Sequence, residues 1–514
     1  MSVMTHMQTS PSLQEVRARW DNGQASVVFS VEPADLLTPV SAYIRLRSLD
    51  ATSQQYSLLL ESVEGGAARG RYSVIALKPD LVWTCHQGKV LLDRAPEDAD
   101  TAPEQITEAA LTHLRSLINE TQLDLPDGLP PMIAGLFGYL GYDMVRQMEK
   151  LPHPPEDDLD LPESVMIRPG LFAVFDTVSD ELILAAPVRP KTGQSCEDSW
   201  ENAQALLAQA RACLNSGLPE ESITPPVADF QQPGSTFTKE QFCGAVKRIQ
   251  DYIRAGDAFQ VVPSQRFSTP FTLPSLSLYR SLRRINPAPF LFHLDFGRFS
   301  LVGSSPEILV RLSEGKMTVR PLAGTRPRGK DIEEDRRLEQ DLLSDQKELA
   351  EHLMLIDLGR NDVGRVCKPG SVKVTEQFVI ERFSHVMHIS SNVEGALSPD
   401  LDALDALVAA FPAGTLTGAP KIRAMEIIDE VEPTRRATYA GCIGYFGAGG
   451  DMDTCIGLRM AVVKDGMMYV QAGCGVVADS VPDAEYAETQ HKARAVFRAA
   501  ESAILQAQKL SSPS

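Results

Sequence analysis

Two glutamates and a lysine, Glu485, Glu488 and Lys492, follow a Gly-Cys-Gly turn in the stretch 471–492, QAGCGVVADSVPDAEYAETQHK. Spaced i, i+3 and i+7 on a helix that Pro482 opens, they project from one face. Such a row suits a hard cation such as Mg2+, which takes carboxylate oxygens and keeps positions for substrate oxygens. Gly473 and Gly475 let backbone N–H groups approach an anion closely. The segment also reads as a solvated helix with ordinary Glu–Lys pairing, and nothing local decides between the two. GCGVVA matches a dinucleotide fingerprint, but Asp479, Ser480 and Pro482 separate it from the helix and no βαβ unit surrounds it.

Six further segments carry residue types that packing does not require. Asp345 caps a helix bearing Glu348 and Glu351, with Leu349, Leu353 and Ile356 expected on its other side. In the strand-like SHVMHISSNVE (384–394), His385 and His388 point to opposite faces. GTLTGAPK (414–421) lacks the GK[ST] ending of a P-loop but forms an anion nest from Thr415, Thr417 and helix N-terminal amides. Gly324 and Thr325 close a strand, and Glu307 directly follows a proline. DTCIGLRM puts Arg459 on a strand, where a buried guanidinium needs an anionic partner.

These residues need a scaffold, and the pattern around them is α+β. Helices are expected at 40–46, 103–120, 199–216 and from a Thr238/Gln241 capping box onward, with Phe242, Val246, Ile249 and Ile253 on one face. Strands are expected at 28–31, 56–64, 71–77, 259–267, 290–296, 299–303, 306–312 and 316–322, and hairpins within 81–92 and 172–188. IAGLFGYLGYDMV (133–145) lets backbones pack closely. The boundaries read as an extension (1–24), an N-terminal region (25–217), a Pro/Ser/Gly/Gln linker (218–236) and a second region (237–508).

A net charge of −19 over 514 residues argues against a nucleic-acid partner, which needs a basic face. Eight scattered cysteines without a C-x-x-C pair make neither a zinc site nor a disulfide scaffold. With no apolar leader and no run long enough for a membrane span, the expectation is a cytoplasmic protein.

Taken in order, FQVVPSQRF, GSSPEIL, RPLAGTRPRG, KELAEHLMLIDLGRNDVGRVC, HVMHISS, PAGTLTGAPKIRAMEIID, DTCIGLRM and the opening stretch resemble the chorismate-utilising enzymes. The likeness runs from about residue 25 to 500 and is most specific in the second half. It implies a large mixed or antiparallel β-sandwich with helices outside. It also implies Mg2+ on Glu351 and Glu488, and chorismate against Gly324, Thr325, Thr415, Tyr439, Arg459, Gly473, Gly475 and Lys492. Glu307 matches the acid that protonates the departing C4 hydroxyl. Members that add water carry a lysine where this chain has Gln260, and members with a nucleophilic lysine carry it where this chain has Ala323. The resemblance therefore implies ammonia attacking C2, then loss of pyruvate, with His388 in that second half, to give anthranilate. An enzyme that stops at the amino intermediate and a non-catalytic binding subunit are the alternatives.

LLES (59–62) and NPAPFL (286–291) are similar to the family's tryptophan feedback site, implying L-tryptophan as inhibitor at Glu61, Ser62, Pro289, Phe290 and Leu291. The usual tyrosine and methionine of that second motif are replaced by Phe290 and Leu291. Ammonia in this family comes from a glutamine amidotransferase subunit, and a heterotetramer is the implied assembly.

Overall fold

The computed structural model describes residues 9–62, 70–98, 100–219, 228–383 and 386–511. Alternating apolar strands joined by tight turns build a single hydrogen-bonded network of 21 strands. Every ladder between the described strands is antiparallel. The two halves of the sequence share this network. Ser57–Glu61 pairs with Phe290–Asp295, with Glu61 opposite Leu291, and Leu136–Leu140 pairs with Cys442–Phe446. Val27, Leu58, Phe137, Phe172, Phe292, Ile443 and Val462 fill the space between inner sheet faces, and helices cover the outer ones.

The helix Pro482–Ser511 shows how the outer layer attaches. Its Ala493, Val496, Ala500, Ala503 and Ala507 recur at helical spacing and are buried against Ser275–Ile285 and the strand Met467–Gly473. Small alanines let the helix lie close to its neighbours, so the carboxylates of its first turns sit at the rim of the sheet.

Several sequence expectations hold closely. Thr238 accepts from the Gln241 amide and the Gln241 side chain accepts from the Thr238 amide, a complete capping box on Lys239–Ala255. Pro39–Leu46, the hairpin turning at Gln87–Gly88, and the hairpin of Ser164–Asp176 with Glu181–Val188 all form. Four expectations need correction. Residues 103–120 are not one helix, because Glu104–Ile106 pairs with Lys89–Asp93 and the helix begins at Ala110. Residues 71–77 and 81–86 form one strand, Tyr72–His86, whose register shifts between Pro79 and Leu81. Leu353 is 47% exposed, and the buried side of Gln346–Gly364 runs through His352, Leu355, Ile356 and Gly359. Arg459 is not on a strand; it turns with φ +49° between Met452–Ile456 and Met460–Lys464. His385 lies outside the described residues.

No helix among the described residues is long and apolar enough to cross a membrane.

Candidate active site

The strand Met467–Gly473 ends beside Ser264–Pro270, with Gly473 opposite Ser264. This pairing brings the glycine turn against residues some two hundred positions earlier. Gln260 is held by a two-residue ladder to Gly418–Ala419, and Val261 bridges Val476. The Gln260 amide therefore reaches the turn and donates to the Glu351 carboxylate at 3.1 Å. A Cβ on Gly475 would stand 2.7 Å from Gln260 Nε2 and 3.8 Å from Glu351 Oε1, so the glycine lets the Gln260 amide lie directly against the turn.

Lys492 donates to the Gly473 carbonyl at 3.0 Å and pairs with Glu488 at 2.7 Å. Glu351 and Glu488, from two different helices, thus flank the same short turn. Burial raises the Glu348 carboxyl above its ordinary value, and the charge of Glu351 adds to the shift. Glu485 is also raised by burial, with a contribution from Glu488. On each of the two helices, neighbouring carboxylates thus disfavour one another's charge. Among the described residues no group of three or more His, Cys, Asp or Glu side chains is gathered to hold a metal by itself.

Glu307 sits in the turn between Ser300–Ser305 and Ile308–Ser313, 8% exposed. Burial pushes its carboxyl up to about 8, against the opposing effects of the Thr415 hydroxyl, the Leu322 amide, Arg459 and Lys492. Thr415 Oγ1 donates to Glu307 Oε1 at 3.1 Å. The group is therefore an acid at neutral pH, poised to give up a proton. The Arg459 guanidinium has no carboxylate within ion-pair distance among the described residues, although Glu307 is near enough to influence it.

His388 is held by the register of Val386–Ala396 against Leu322–Pro327. Gly324 lies at a shift in that ladder with φ +66°, which turns its carbonyl toward the ring. His388 Nδ1 donates to this carbonyl at 2.8 Å and lies 3.1 Å from Thr325 Oγ1. Burial, with Arg459 nearby, lowers the imidazole to about 4, so the ring is neutral. With the proton on Nδ1, Nε2 presents a lone pair, and this buried atom has no partner. Arg459 and Lys492 both act on Glu307 and on His388, so acid, base and cations face one space.

Thr417 does not join the nest expected of it; its hydroxyl is buried and donates to the Ala413 carbonyl. Another group was missed from sequence. Arg436 and Glu432, both essentially inaccessible, pair at 2.6 Å. Arg436 also donates to the Leu416 and Val262 carbonyls, while Glu432 accepts from the Ser264 amide and hydroxyl. The Arg436 guanidinium lies over the Tyr439 ring, 5.6 Å from its centroid. One ion pair thus ties together the Thr415 loop, the Gln260 segment and Tyr439. Breaking such a buried pair costs about 3–5 kcal/mol. The only local signal was the i,i+4 spacing in VEPTRRATYAG.

A separate cavity of about 760 Å3 is lined by Glu61, Ser62, Pro289, Phe290 and Leu291 together with Arg71, Met132 and Tyr445. The Glu61 carboxylate is clasped from behind by Arg283, at 2.7 and 3.0 Å, and by the Tyr279 hydroxyl. Pro306 and Ile308, the neighbours of Glu307, also line this cavity.

Residues 68–498 match the family model described as chorismate binding enzyme. The chain is 51% identical over 498 residues to anthranilate synthase component 1 of Cereibacter sphaeroides, covering 97% of this chain and 99% of that one. It is 48% identical over 478 residues to anthranilate synthase component 1 of Pseudomonas aeruginosa, covering 91% and 93%. The crystal structure of anthranilate synthase component I from Streptococcus pneumoniae superposes with a TM-score of 0.73 at 35% identity, over 91% of this chain and 99% of that one. The menaquinone-specific isochorismate synthase of Escherichia coli shares the fold, with a TM-score of 0.68 at 17% identity over 95% and 98%. Match, coverage and fold agree, and the chain belongs to the chorismate binding enzyme family.

Proposed function

We propose that this chain is the large subunit of an anthranilate synthase, converting chorismate and ammonia to anthranilate, pyruvate and water. The observation that carries the reading is the buried, protonated Glu307 beside an unpaired Arg459. Arg459 grips one substrate carboxylate, and Lys492 and the glycine amides meet the other. Glu307 gives its proton to the C4 hydroxyl, which leaves as water while ammonia bonds to C2 and the diene electrons shift. His388 Nε2 then takes the C2 proton, the C3–O bond breaks as the ring becomes aromatic, and the departing enolate takes up a proton at its methylene carbon to become pyruvate. A neutral imidazole with a free lone pair suits that step. Gln260 cannot act as a base for water, and its amide is already committed to Glu351.

Two carboxylates from different helices, both near the glycine turn, fit Mg2+, which is usually held by one or two carboxylates plus substrate oxygens and waters. Glu351 and Glu488 would hold it, and its charge would neutralise the ring carboxylate of chorismate. Ammonia would be delivered by a glutamine amidotransferase subunit in a heterotetramer; the relatives' designation as component 1 supports a partner component. The cavity at Glu61 and Ser62 would take L-tryptophan as inhibitor. Its apolar wall of Pro289, Phe290 and Leu291 suits an indole, and Glu61 keeps oxygen lone pairs for an ammonium. Its contact with Pro306 and Ile308 gives a bound ligand a direct route to the acid.

The test uses the purified chain with chorismate, MgCl2 and an ammonium salt, followed by anthranilate fluorescence. Anthranilate should form without any partner, disappear with EDTA and fall with tryptophan. Chorismate left unconsumed under these conditions would sink the catalytic reading. In a His388→Ala variant, chorismate should still be consumed while anthranilate falls about 10²-fold or more. Chromatography should then show the amino intermediate accumulating; a proportional loss of both activities would remove His388 from the elimination step.

A further inference from the structure

A second cleft, of about 890 Å3, lies between Asp80, Glu120, Gln122, Leu123, Asp124, Arg189–Thr192 and Ala448–Gly449. Its wall carries a chain of alternating charges. Arg94 makes two 2.8 Å bonds to Glu120, Glu120 accepts at 2.8 Å from Arg168, and Arg168 grips Asp80 at 2.7 and 3.0 Å. Lys191 stands 3.4 Å from the same Asp80.

Arg189 does not fit into this alternation. It donates to two backbone carbonyls, Thr121 at 3.1 Å and Ala134 at 2.9 Å, and has no carboxylate within ion-pair distance among the described residues. Burial, with Arg168 beside it, pulls the guanidinium down to about 10. Four cations (Arg94, Arg168, Arg189 and Lys191) therefore share two anions (Asp80 and Glu120), while Arg19 and Asp124 pair separately at 3.3 Å. The side chains lining the cleft carry two more positive than negative charges, with Glu104 acting on Arg94 from outside the lining, in a chain whose net charge is −19.

We propose that this cleft binds a small, doubly charged oxyanion of the phosphate class, with Arg189 as its anchor. A desolvated guanidinium without a counter-ion is costly, and an anion from solution supplies what the fold omits. Arg189 uses two of its five N–H groups on carbonyls, which leaves donors for oxygen atoms, and the Lys191 ammonium adds a mobile charge at the mouth. Phosphate monoesters carry about 1.5 to 2 negative charges at neutral pH, and inorganic phosphate between one and two, of the sign the lining calls for. The cleft is larger than a bare phosphate needs, so a phosphomonoester also fits.

The experiment measures thermal unfolding and calorimetric binding with inorganic phosphate or glucose 6-phosphate, against sodium chloride at matched ionic strength. Saturable stabilisation by phosphate beyond the chloride control is expected, with affinity falling at least about tenfold in Arg189→Met and several-fold in Lys191→Met. Anthranilate formation without added phosphate should be unchanged in Lys191→Met. Tighter binding of the ester than of phosphate identifies a phosphorylated metabolite as occupant, and equal binding identifies the free ion. Stabilisation no greater than chloride overturns the proposal. So does undiminished binding in Lys191→Met together with Arg189→Met, or in Lys191→Met alone where Arg189→Met does not fold.

Discussion

A Glu307→Gln variant is expected to lose anthranilate formation by about 10²–10⁴-fold while still binding chorismate. Glutamine keeps the shape and the Thr415 hydrogen bond but has no proton to give to the C4 hydroxyl. Titrating chorismate by calorimetry separates this loss from a binding defect. Near-normal turnover would remove Glu307 from the acid role. The wild-type pH profile carries a second signature. With its carboxyl raised to about 8, Glu307 is the active acid below that value, and the rate per unit of free ammonia should decline above it. The same shift makes a stability prediction. Folding raises this group above its unfolded value, so the folded chain retains a proton that the unfolded chain releases. The associated stabilisation is full below the ordinary carboxyl value near 4.5 and is lost as pH rises through about 8. Glutamine is neutral throughout, so the variant should melt at a higher temperature than wild type above pH 8. An unchanged difference in melting temperature from pH 5 to pH 9 would show that Glu307 is not held protonated.

A Glu488→Gln variant tests the cation. Glu488 stands on the first turns of the helix Pro482–Ser511, paired with Lys492, and Glu351, on another helix, lies near Gly475. Either Glu488→Gln or Glu351→Gln is expected to weaken Mg2+ binding in the presence of chorismate by at least about 10–100-fold, since perturbing even outer partners of a bound metal costs that much. Calorimetric titration of MgCl2 into the chorismate complex reads this directly, apart from turnover. The neutral amide of Glu488→Gln also releases Lys492, so chorismate binding without Mg2+ should hold or improve. Unaltered Mg2+ affinity in both variants would show that the cation, if needed, is held elsewhere.

Local chemistry was legible in the sequence wherever it depends on neighbours a few residues apart. The Thr238–Gln241 capping box, the Asp345 cap and the helix opened by Pro482 all form, because a cap is completed within one turn. The expectation for 103–120 failed at its start. Glu104–Ile106 gains a ladder partner in Lys89–Asp93, and hydrogen bonds to a distant strand outweigh a weak helical preference. Leu353 failed for a related reason, since which side of a helix is covered depends on what packs there.

What the sequence by itself determined was a set of candidates with the right chemistry: Glu307, Glu351, His388, Arg459, Glu488 and Lys492, and the glycines among them. What only the tertiary structure decided was their state. The 91-residue separation between Gln260 and Glu351 closes through strand pairing, and the proton on Glu307 and the free Nε2 of His388 follow from burial. The loops that the Glu432–Arg436 pair ties together, and the unmatched charge of Arg189 in the second cleft, likewise depend on contacts that no local pattern encodes. Residue type sets which groups can ionise or donate. Desolvation and the partners brought from elsewhere in the chain set which of them do.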